Sequence, residues 1–293
     1  MSDWQIRPAA PTELAAIFDI FYEHEFRHDP APPPRLTLPY LAHVLATGRL
    51  LVAEREGRLL GYAGLIARGE VAFLTDLFVG HDEQSRGLGA ALLRAILPPS
   101  GVRCTCSSSD PRALALYMRA GMRPQWPQFW LRGVCSTLQA TPQDALDVVE
   151  GRADDPALAD WEEAIGGRAR SVDLAFWHRD QRGVPLWFRR GGATVGYALV
   201  RLGAATARDP AAAALGPLGV RDAVDATACV LAAADWACGR APLLQLVVPG
   251  PHPALAPLLD AGFTIVALDT FVSSATTPFC DPRRYISSGA DLF

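Results

Sequence analysis

Two stretches of the chain combine residue types that can do chemistry. In the first, Val71 to Val79 reads as an apolar strand and Gly80-His81-Asp82-Glu83 as a polar turn; Gln84-Ser85-Arg86-Gly87-Leu88-Gly89 then leads into a helix, Ala90 to Leu97. A strand that feeds a glycine-bearing turn at a helix N-terminus presents several unpaired N–H groups, at the positive end of the helix dipole, to a phosphate. Gly87 and Gly89 let the backbone approach a bulky diphosphate without a Cβ in the way. The amides of Arg86 to Ala90 supply donors, and the Arg86 guanidinium adds a charged contact. The same residues also suit a plain strand-to-helix turn, so this stretch alone predicts a site for a phosphorylated cofactor and nothing finer. The second stretch opens with Asp110-Pro111, a good N-cap with proline at the first helical position, and runs as a helix from Arg112 to Arg119 that closes on Ala120-Gly121. An acidic segment, Glu23-His24-Glu25-Phe26-Arg27-His28-Asp29, holds further titratable groups. His24 and His28 stand four apart with no third ligand in view, so no metal site is expected.

The elements that must position these residues follow from periodicity. Gln5 to Pro8 reads as a short opening strand. Leu14, Ile17, Phe18 and Phe21 fall at helical spacing, and Pro30-Ala31-Pro32-Pro33-Pro34 breaks the chain after them. A second helix is expected over Leu38 to Ala46, stopped at Gly48, followed by a hairpin of Leu50 to Ala53 and Leu59 to Ile66 around Glu56-Gly57. Val102 to Cys106 and Phe129 to Leu131 read as two more strands. The layout is α+β, a mixed and largely antiparallel sheet flanked by helices.

The totals narrow the function classes. A chain of 293 residues is long enough for two domains, each with its own core. Half the residues are hydrophobic and 20% are charged, a globular composition. The net charge of −4 points away from nucleic acid and from anionic membranes. All 27 basic residues are arginine, since the chain has no lysine, and asparagine is also absent; this excludes acetylation of its own lysines and N-glycosylation. Met1-Ser2-Asp3-Trp4-Gln5 begins no signal peptide, and no apolar run approaches bilayer length. The six cysteines, Cys104, Cys106, Cys135, Cys229, Cys238 and Cys280, show no disulfide-framework or zinc spacing. Reduced, packed thiols in a cytoplasmic protein are the expectation.

The second half repeats the first. Gly61-Tyr62-Ala63 recurs as Gly196-Tyr197-Ala198, 135 residues on; Leu77-Phe78-Val79 matches Leu218-Gly219-Val220 and Ala120-Gly121-Met122 matches Ala261-Gly262-Phe263, both 141 residues on. The alanine-rich loop Gly203 to Ala214 absorbs the difference. Three matches in the same order predict a tandem repeat of one fold, with Gly133 to Gly151 as linker and domains at 1–134 and 135–293.

Gln84-x-x-Gly87-x-Gly89 between strand and helix resembles motif A of the GCN5-related N-acetyltransferases, Q/R-x-x-G-x-G/A. Asp110-x-x-Ala113-x-x-Leu116-Tyr117-x-x-x-Gly121-Met122 resembles that family's later motif, N-x-x-A-x-x-L-Y-x-x-x-G-F. Either motif alone is a weak signal, but two in the right order about a strand apart are specific. The resemblance covers the first half well and the second half only as architecture. It implies acetyl-coenzyme A as co-substrate, contacted by Leu77, Phe78, Val79, Gln84, Ser85, Arg86, Gly87, Leu88, Gly89, Ala90, Asp110, Ala113 and Tyr117. It further implies that Tyr117 protonates the departing thiolate. The chemistry suits that role, because a phenol near pKa 10 can donate to a thiolate whose thiol has a pKa of roughly 8.5; Tyr117 would otherwise be a helix residue packed on the sheet. Asp110 replaces the usual asparagine, and an ionised carboxylate accepts but does not donate; it equally suits a helix N-cap.

The acceptor amine must arrive neutral, so a base is needed. Asp76 is one candidate. Polyamine acetyltransferases of the family carry a Glu-Asp pair at this place, and this chain has Thr75-Asp76. Glu23, Glu25 and Asp29, with Thr75, are candidates for the acceptor pocket or simply a solvated helix end. At an offset of 141, Gln84 maps to Asp225, Gly87 to Ala228, Gly89 to Val230 and Tyr117 to Leu258. The matching turn, Arg221 to Asp225, has no glycine and two carboxylates, which would repel a pyrophosphate, and leucine donates no proton. The expectation is an N-acetyltransferase, monomeric or homodimeric, that transfers an acetyl group from acetyl-coenzyme A to a primary amine of a small molecule by direct attack, with its active site in the first half only. The alternatives are a non-catalytic acyl-coenzyme A sensor, a thiol-biosynthetic acetyltransferase similar to mycothiol synthase, whose active copy is however the second one, and an interaction scaffold.

Overall fold

Alternating and apolar runs become strands, and runs of helical period become their covers. The computed structural model describes residues 3–35, 39–138, 146–152, 154–203, 209–289 and 292–293. The first half contains β1 (Gln5–Pro8), α1 (Leu14–Phe26), α2 (Pro39–Thr47), β2 (Arg49–Arg55), β3 (Arg58–Arg68), β4 (Val71–Val79), α3 (Leu88–Ile96), β5 (Val102–Ser107), α4 (Pro111–Arg119) and β6 (Arg123–Val134). The second contains β7 (Asp147–Glu150), α5 (Pro156–Gly166), α6 (Ser171–Gln181), β8 (Gly183–Arg190), β9 (Ala193–Arg201), β10 (Ala213–Val220), α7 (Ala226–Cys238), β11 (Leu243–Pro249), α8 (Leu255–Asp260), β12 (Thr264–Ser273) and β13 (Tyr285–Ile286). The strands form one mixed sheet in the order β1-β2-β3-β4-β5-β12-β6-β11-β10-β9-β8-β7, with β13 attached to β10. The α+β reading with a mixed sheet is thus what the chain adopts. The expected linker and the loop at Gly203 to Ala214 fall partly on residues 139–145 and 204–208, outside the described residues, as does Leu38.

The repeat is visible in the register. Gly61 stands opposite Val79 in the first half, and Gly196 opposite Val220 in the second. Each half has a parallel pair joined through a helix, β4-α3-β5 and β10-α7-β11. Each also has a bulge in the first strand of that pair: Thr75 is the extra residue of β4, and Gly216-Pro217 stand against the single Leu199. A bulge bends its strand and strengthens the local twist, so in both halves the parallel strands separate after only three paired residues.

The last strand of each half lies in the sheet of the other. β11 pairs along its full length with β6, Val134 opposite Leu243 through Gln128 opposite Pro249. β12 inserts between β5 and β6, with Phe271 opposite both Cys106 and Trp126. The segment expected as a last strand over Phe129 to Leu131 is therefore longer and lies mid-sheet. No local pattern signals this, because an apolar strand pairs equally well with either neighbour.

The two faces of the sheet are covered differently. α3 and α4 bury Leu92, Leu93, Ile96 and Tyr117 on the first half, and α7 and α8 bury Cys229, Val230, Ala233 and Leu258 on the second. On the opposite face one continuous core runs across both halves, from Ile17 and Phe18 of α1 and Leu41 of α2 to Ile165 of α5 and Trp177 of α6. Where α2 meets α6, Asp173 has no exposure at all. Its carboxylate takes Arg68 Nε at 2.8 Å and Nη2 at 2.6 Å, and the His43 ring lies 2.7 Å away. The Cys135–Cys238 disulfide ties the end of β6 to the end of α7. That bond corrects the expectation of reduced thiols throughout: the two residues lie 103 apart, and only the exchange of β6 into the second half's sheet brings them together.

Burial alone would raise the Asp173 pKa, but the hydrogen bonds from His43 and Arg68 outweigh it and hold the group at about 2, below its ordinary 3.8. A depressed carboxylate pKa contributes stability above the unfolded value, and that stability is lost as pH falls from about 4 towards 2; it amounts to about 2 kcal/mol. Asp173→Asn leaves Arg68 buried without its charge partner and should destabilise by about 3 kcal/mol. Thermal unfolding at pH 7 and pH 3 checks this: the mutant should melt well below wild type at pH 7, and the gap should narrow at pH 3.

Candidate active site

The two ends of β4 are paired differently. Val71 to Phe73 pair with Val102 to Cys104 of β5. Beyond the Thr75 bulge, Leu77, Phe78 and Val79 pair with Ala63, Tyr62 and Gly61 of β3 on one side. On the other side β5 has turned away, Cys104 to Ser107 pairing with β12. The β5-facing edge of Leu77 to Val79 is thus left without a strand partner among the described residues, in a cleft. Buried backbone groups are almost always paired, so such an edge suits an extended ligand with amide groups of its own.

The turn after β4 is built to offer amides. Gly80 N–H bonds Leu60 O at 2.8 Å, and the buried Glu83 carboxylate pairs with Arg55, the last residue of β2, at 2.5 Å. Ser85 and Gly87 both have positive φ, 64° and 83°, and Gly87 is the N-cap of α3 with no side-chain acceptor over the first-turn amides. Gly89 is informative in another way. A Cβ there would come no nearer than 3.7 Å to Val79 and 3.9 Å to Leu116. Glycine near the start of a helix costs up to about 1 kcal/mol against alanine, and the chain's own packing gives no reason for it. Space for a ligand does.

Cleft and turn open into a cavity of ≈ 370 Å³. Of the residues expected to contact a cofactor, Leu77, Phe78, Val79, Gln84, Ser85, Gly87, Gly89, Ala90, Asp110, Ala113 and Tyr117 line it. Two do not. Leu88 points into the core beneath α3, and the exposed Arg86 side chain reaches back to Glu83 at 3.5 Å. Asp110 caps α4 by accepting Arg112 N–H at 2.8 Å and pairs with the Arg112 guanidinium at 2.7 Å, which lowers its pKa. Its carboxylate therefore does the cap's work while lining the cavity.

Of the acceptor-side candidates, Thr75, Asp76 and Glu25 line the cavity, whereas Glu23 pairs with Arg35 and Asp29 accepts Ala31 N–H at 2.9 Å, both away from it. Asp76 is buried and receives hydroxyl protons from Tyr40 at 2.7 Å, Tyr62 at 3.2 Å and Thr75 at 2.7 Å. Tyr117 is buried, and its hydroxyl has no hydrogen-bond partner among the described residues. Burial, then the charge of Asp76, pushes its pKa up, so the phenol holds its proton at neutral pH. His24 also lines the cavity, edge-on to Phe78 at 5.2 Å; burial, then the His81 charge, lowers its pKa and keeps it neutral near pH 7.

Cys106, Ser108, Arg112, Leu116 and Arg119 line the cavity as well. Leu116 shares the helical face of Ala113 and was accessible from spacing. Cys106 and Ser108 depend on the register of β5, which no local pattern reveals. Among the described residues no group of three His, Cys, Asp or Glu side chains is placed to hold a metal ion, and no helix is long and apolar enough to cross a membrane.

At the matching place in the second half the edge is taken. Leu218 and Gly219 of β10, which correspond to Leu77 and Phe78, pair with Ile286 and Tyr285 of β13, and Val220 N–H bonds Arg284 O at 3.0 Å. In the turn, Asp222 accepts Val224 N–H at 3.1 Å, and Asp225 pairs with Arg190 at 3.0 Å. Leu258, in the place of Tyr117, is fully buried in the core.

A splayed parallel pair with an amide-rich turn at a helix N-terminus suits a ligand that joins a phosphate to an extended, amide-bearing arm. Residues 14–122 match the family model described as "Acetyltransferase (GNAT) family", so the first half carries a domain of that family, and its fold is repeated in the second half. Members of the family generally use acetyl-coenzyme A. The chain is similar in fold to a putative acetyltransferase from Pyrococcus horikoshii, at 17% identity and a TM-score of 0.77, over 100% of this chain and 96% of that one. It is similar also to a tandem GNAT protein from the clavulanic acid biosynthesis pathway, at 17% identity and a TM-score of 0.62, over 94% and 100%. A GCN5-related N-acetyltransferase from Sphaerobacter thermophilus matches at 15% identity and a TM-score of 0.62, over 93% and 96%. No curated protein sequence matches.

Gly89→Glu separates ligand from fold, because the added Cβ would come no nearer than 3.7 Å to any packed atom while the carboxylate opposes a bound phosphate. It should leave the thermal midpoint unchanged or slightly raised, and weaken acetyl-coenzyme A binding at least tenfold by calorimetry. A drop in stability with unchanged affinity would return Gly89 to a purely structural role.

Proposed function

We propose that the protein is an N-acetyltransferase that moves the acetyl group of acetyl-coenzyme A directly to a primary amine of a small-molecule acceptor, at one site, in the first half. The observation that carries this reading is the contrast between the two clefts: the β4 edge stands open beside Gly87 and Gly89, while the matching β10 edge is occupied by β13. The carboxylates of Asp222 and Asp225 oppose an anion at the second turn, whereas the α3 N-terminus favours one.

In this reading the amides at the start of α3 bind the pyrophosphate, and the edge of Leu77 to Val79 takes the amide-bearing arm in the manner of an added strand. The thioester then lies towards the Thr75 bulge, near Tyr117. The overall change balances as R–NH₂ plus a thioester giving R–NH–C(O)CH₃ plus a thiol: the C–N bond forms, the C–S bond breaks, and the proton lost by nitrogen is matched by the one gained by sulfur. Tyr117, protonated at neutral pH and with an uncommitted hydroxyl, supports the role of donor to sulfur. His24, neutral near pH 7, lines the cavity beside Glu25 and is the group that supports a role in taking the proton of an incoming ammonium. Asp76 remains a candidate base, although the three hydroxyls on its carboxylate favour a part in fixing Tyr40, Tyr62 and Thr75 around the reacting centre.

Calorimetry with acetyl-coenzyme A should give about one site per chain; two equal sites would contradict a single active half. Tyr117→Phe should lower kcat on the order of 10² to 10⁴-fold, the span of general acid catalysis, with acetyl-coenzyme A affinity within about twofold of wild type. An unchanged kcat would remove Tyr117 from the chemistry.

A further inference from the structure

The six cysteines are not equivalent. Cys135 and Cys238 are bonded to each other, and Cys104, Cys229 and Cys280 are buried, their pKa pushed up to about 12 by that burial. Cys106 is half-buried, outside any disulfide, and lines the cavity. Its place along the cleft follows from the strand register. Phe73 of β4 stands opposite Cys104 of β5, and one residue further on the Thr105 hydroxyl donates to Leu74 O at 2.8 Å. Cys106 is therefore level with the Thr75 bulge, where the two strands part. From there the open edge of β4 runs through Leu77 to Val79 and on to the amide-rich turn before α3. A ligand with its phosphates at that turn and its arm along that edge ends beside Cys106. A second polar group points to the same place. Tyr117 lines the cavity and is only 6% exposed, yet its hydroxyl has no hydrogen-bond partner among the described residues. Leaving a buried hydroxyl unpaired is costly, so a ligand atom belongs there. Burial, then the charge of Asp76, then that of Cys106 raises the Tyr117 pKa, which sets phenol and thiol at one end of the cleft.

We infer that Cys106 is a modification site, at which its thiol forms a mixed disulfide with the sulfur of a coenzyme A seated in the cleft, and that this adduct shuts the active site reversibly. The inference rests on the acetyltransferase reading of the same cleft. The co-reactant is coenzyme A disulfide. The Cys106 thiolate attacks one of its sulfurs, the old S–S bond breaks as the new one forms, and the second coenzyme A leaves as a thiolate that takes up the proton Cys106 gave up. One disulfide replaces another, so the step needs no further oxidant. The attached half is recognised as the acetyl donor is, with its phosphates at the start of α3 and its arm on the edge of Leu77 to Val79. Acetyl-coenzyme A cannot enter while the adduct stands. Among the described residues no other cysteine lines the cavity, and Cys104, two residues back, is fully buried. No thiol of the chain therefore resolves the bond from within, and the adduct lasts until an external thiol reverses it.

The test treats the whole chain at pH 8 with coenzyme A disulfide, oxidised glutathione or 2-hydroxyethyl disulfide, and follows intact mass, peptide maps and acetyl-coenzyme A binding by calorimetry. Wild type should take one coenzyme A per chain, on the peptide that holds Cys106, at least tenfold faster than it takes glutathione. Its acetyl-coenzyme A affinity should then fall at least tenfold, until dithiothreitol restores it. Cys106→Ser should take no adduct, and the same treatment should leave its acetyl-coenzyme A affinity where it was. Gly89→Glu should slow the coenzyme A adduct at least tenfold while reaction with 2-hydroxyethyl disulfide stays within about twofold, which separates recognition in the cleft from mere exposure of a thiol. Peptide mapping of wild type locates the adduct even if a variant fails to fold. No adduct on Cys106, an adduct on another cysteine instead, or equal rates with the three disulfides overturns the inference, while acetyl-coenzyme A binding and turnover by untreated wild type leave the acetyltransferase reading standing. Absence of acetyl-coenzyme A binding by wild type overturns both.

Discussion

The requirement that buried backbone polar groups be paired governs this molecule. A single bulge in β4 and its counterpart in β10 force each parallel pair apart after three residues, and each leaves an edge of N–H and C=O groups facing a cleft. The chain meets the requirement in two ways. In the second half it spends a piece of itself, β13, to complete the ladder. In the first half it leaves the edge open beside a turn whose positive φ angles and missing side-chain cap keep amides available. The difference between the clefts of two copies of one fold thus follows from where a two-residue strand lies.

The exchange of last strands explains why the second half persists although its own cleft is filled. The first half has no partner of its own for β5 beyond β4, because β12 holds that place. The core from α1 to α6 and the buried Asp173–Arg68–His43 cluster bind the halves into one body. Loss of the second half would strip β5 of its neighbour and open the wall on which Cys106 and Tyr117 rest. That wall of the cavity is therefore made jointly.

Much of the cleft was legible in the sequence because it depends on local rules. Gly87 and Gly89 announce a turn at a helix N-terminus, Asp110-Pro111 announces a capped helix, and the Gly61 and Gly196 tripeptides announce the repeat; each is readable within a dozen residues. What was not legible depends on which distant strand pairs with which. An apolar strand such as Val102 to Ser107 carries no mark that selects β12 over β6, so the exchange, the seat of β13 and the Cys135–Cys238 bond all lay beyond local pattern. The cofactor contacts predicted at Arg86 and Leu88 illustrate a finer limit. The motif fixes the backbone path of the turn, and hence its amides, but not whether a side chain on that path faces the ligand, the core or solvent.

The cavity joins two fields of opposite sign, and its geometry explains how they coexist. At one end the α3 N-terminus favours an anion, and the Asp110 carboxylate that would oppose it is neutralised by Arg112 and used as the α4 cap. At the other end Glu25 and Asp76 line the cavity, and their carboxylates favour a cation. Tyr117 sits between them without a charge of its own, held protonated by burial and by the carboxylates on the acceptor side. On the proposed reading, a neutral hydroxyl at that boundary gives its proton to sulfur without placing a charge between the two ends, whereas an ionised residue there would oppose one partner or the other. The phenol is the side chain whose ordinary pKa already lies on the required side of neutrality, and the burial that α4 imposes drives it further in the same direction.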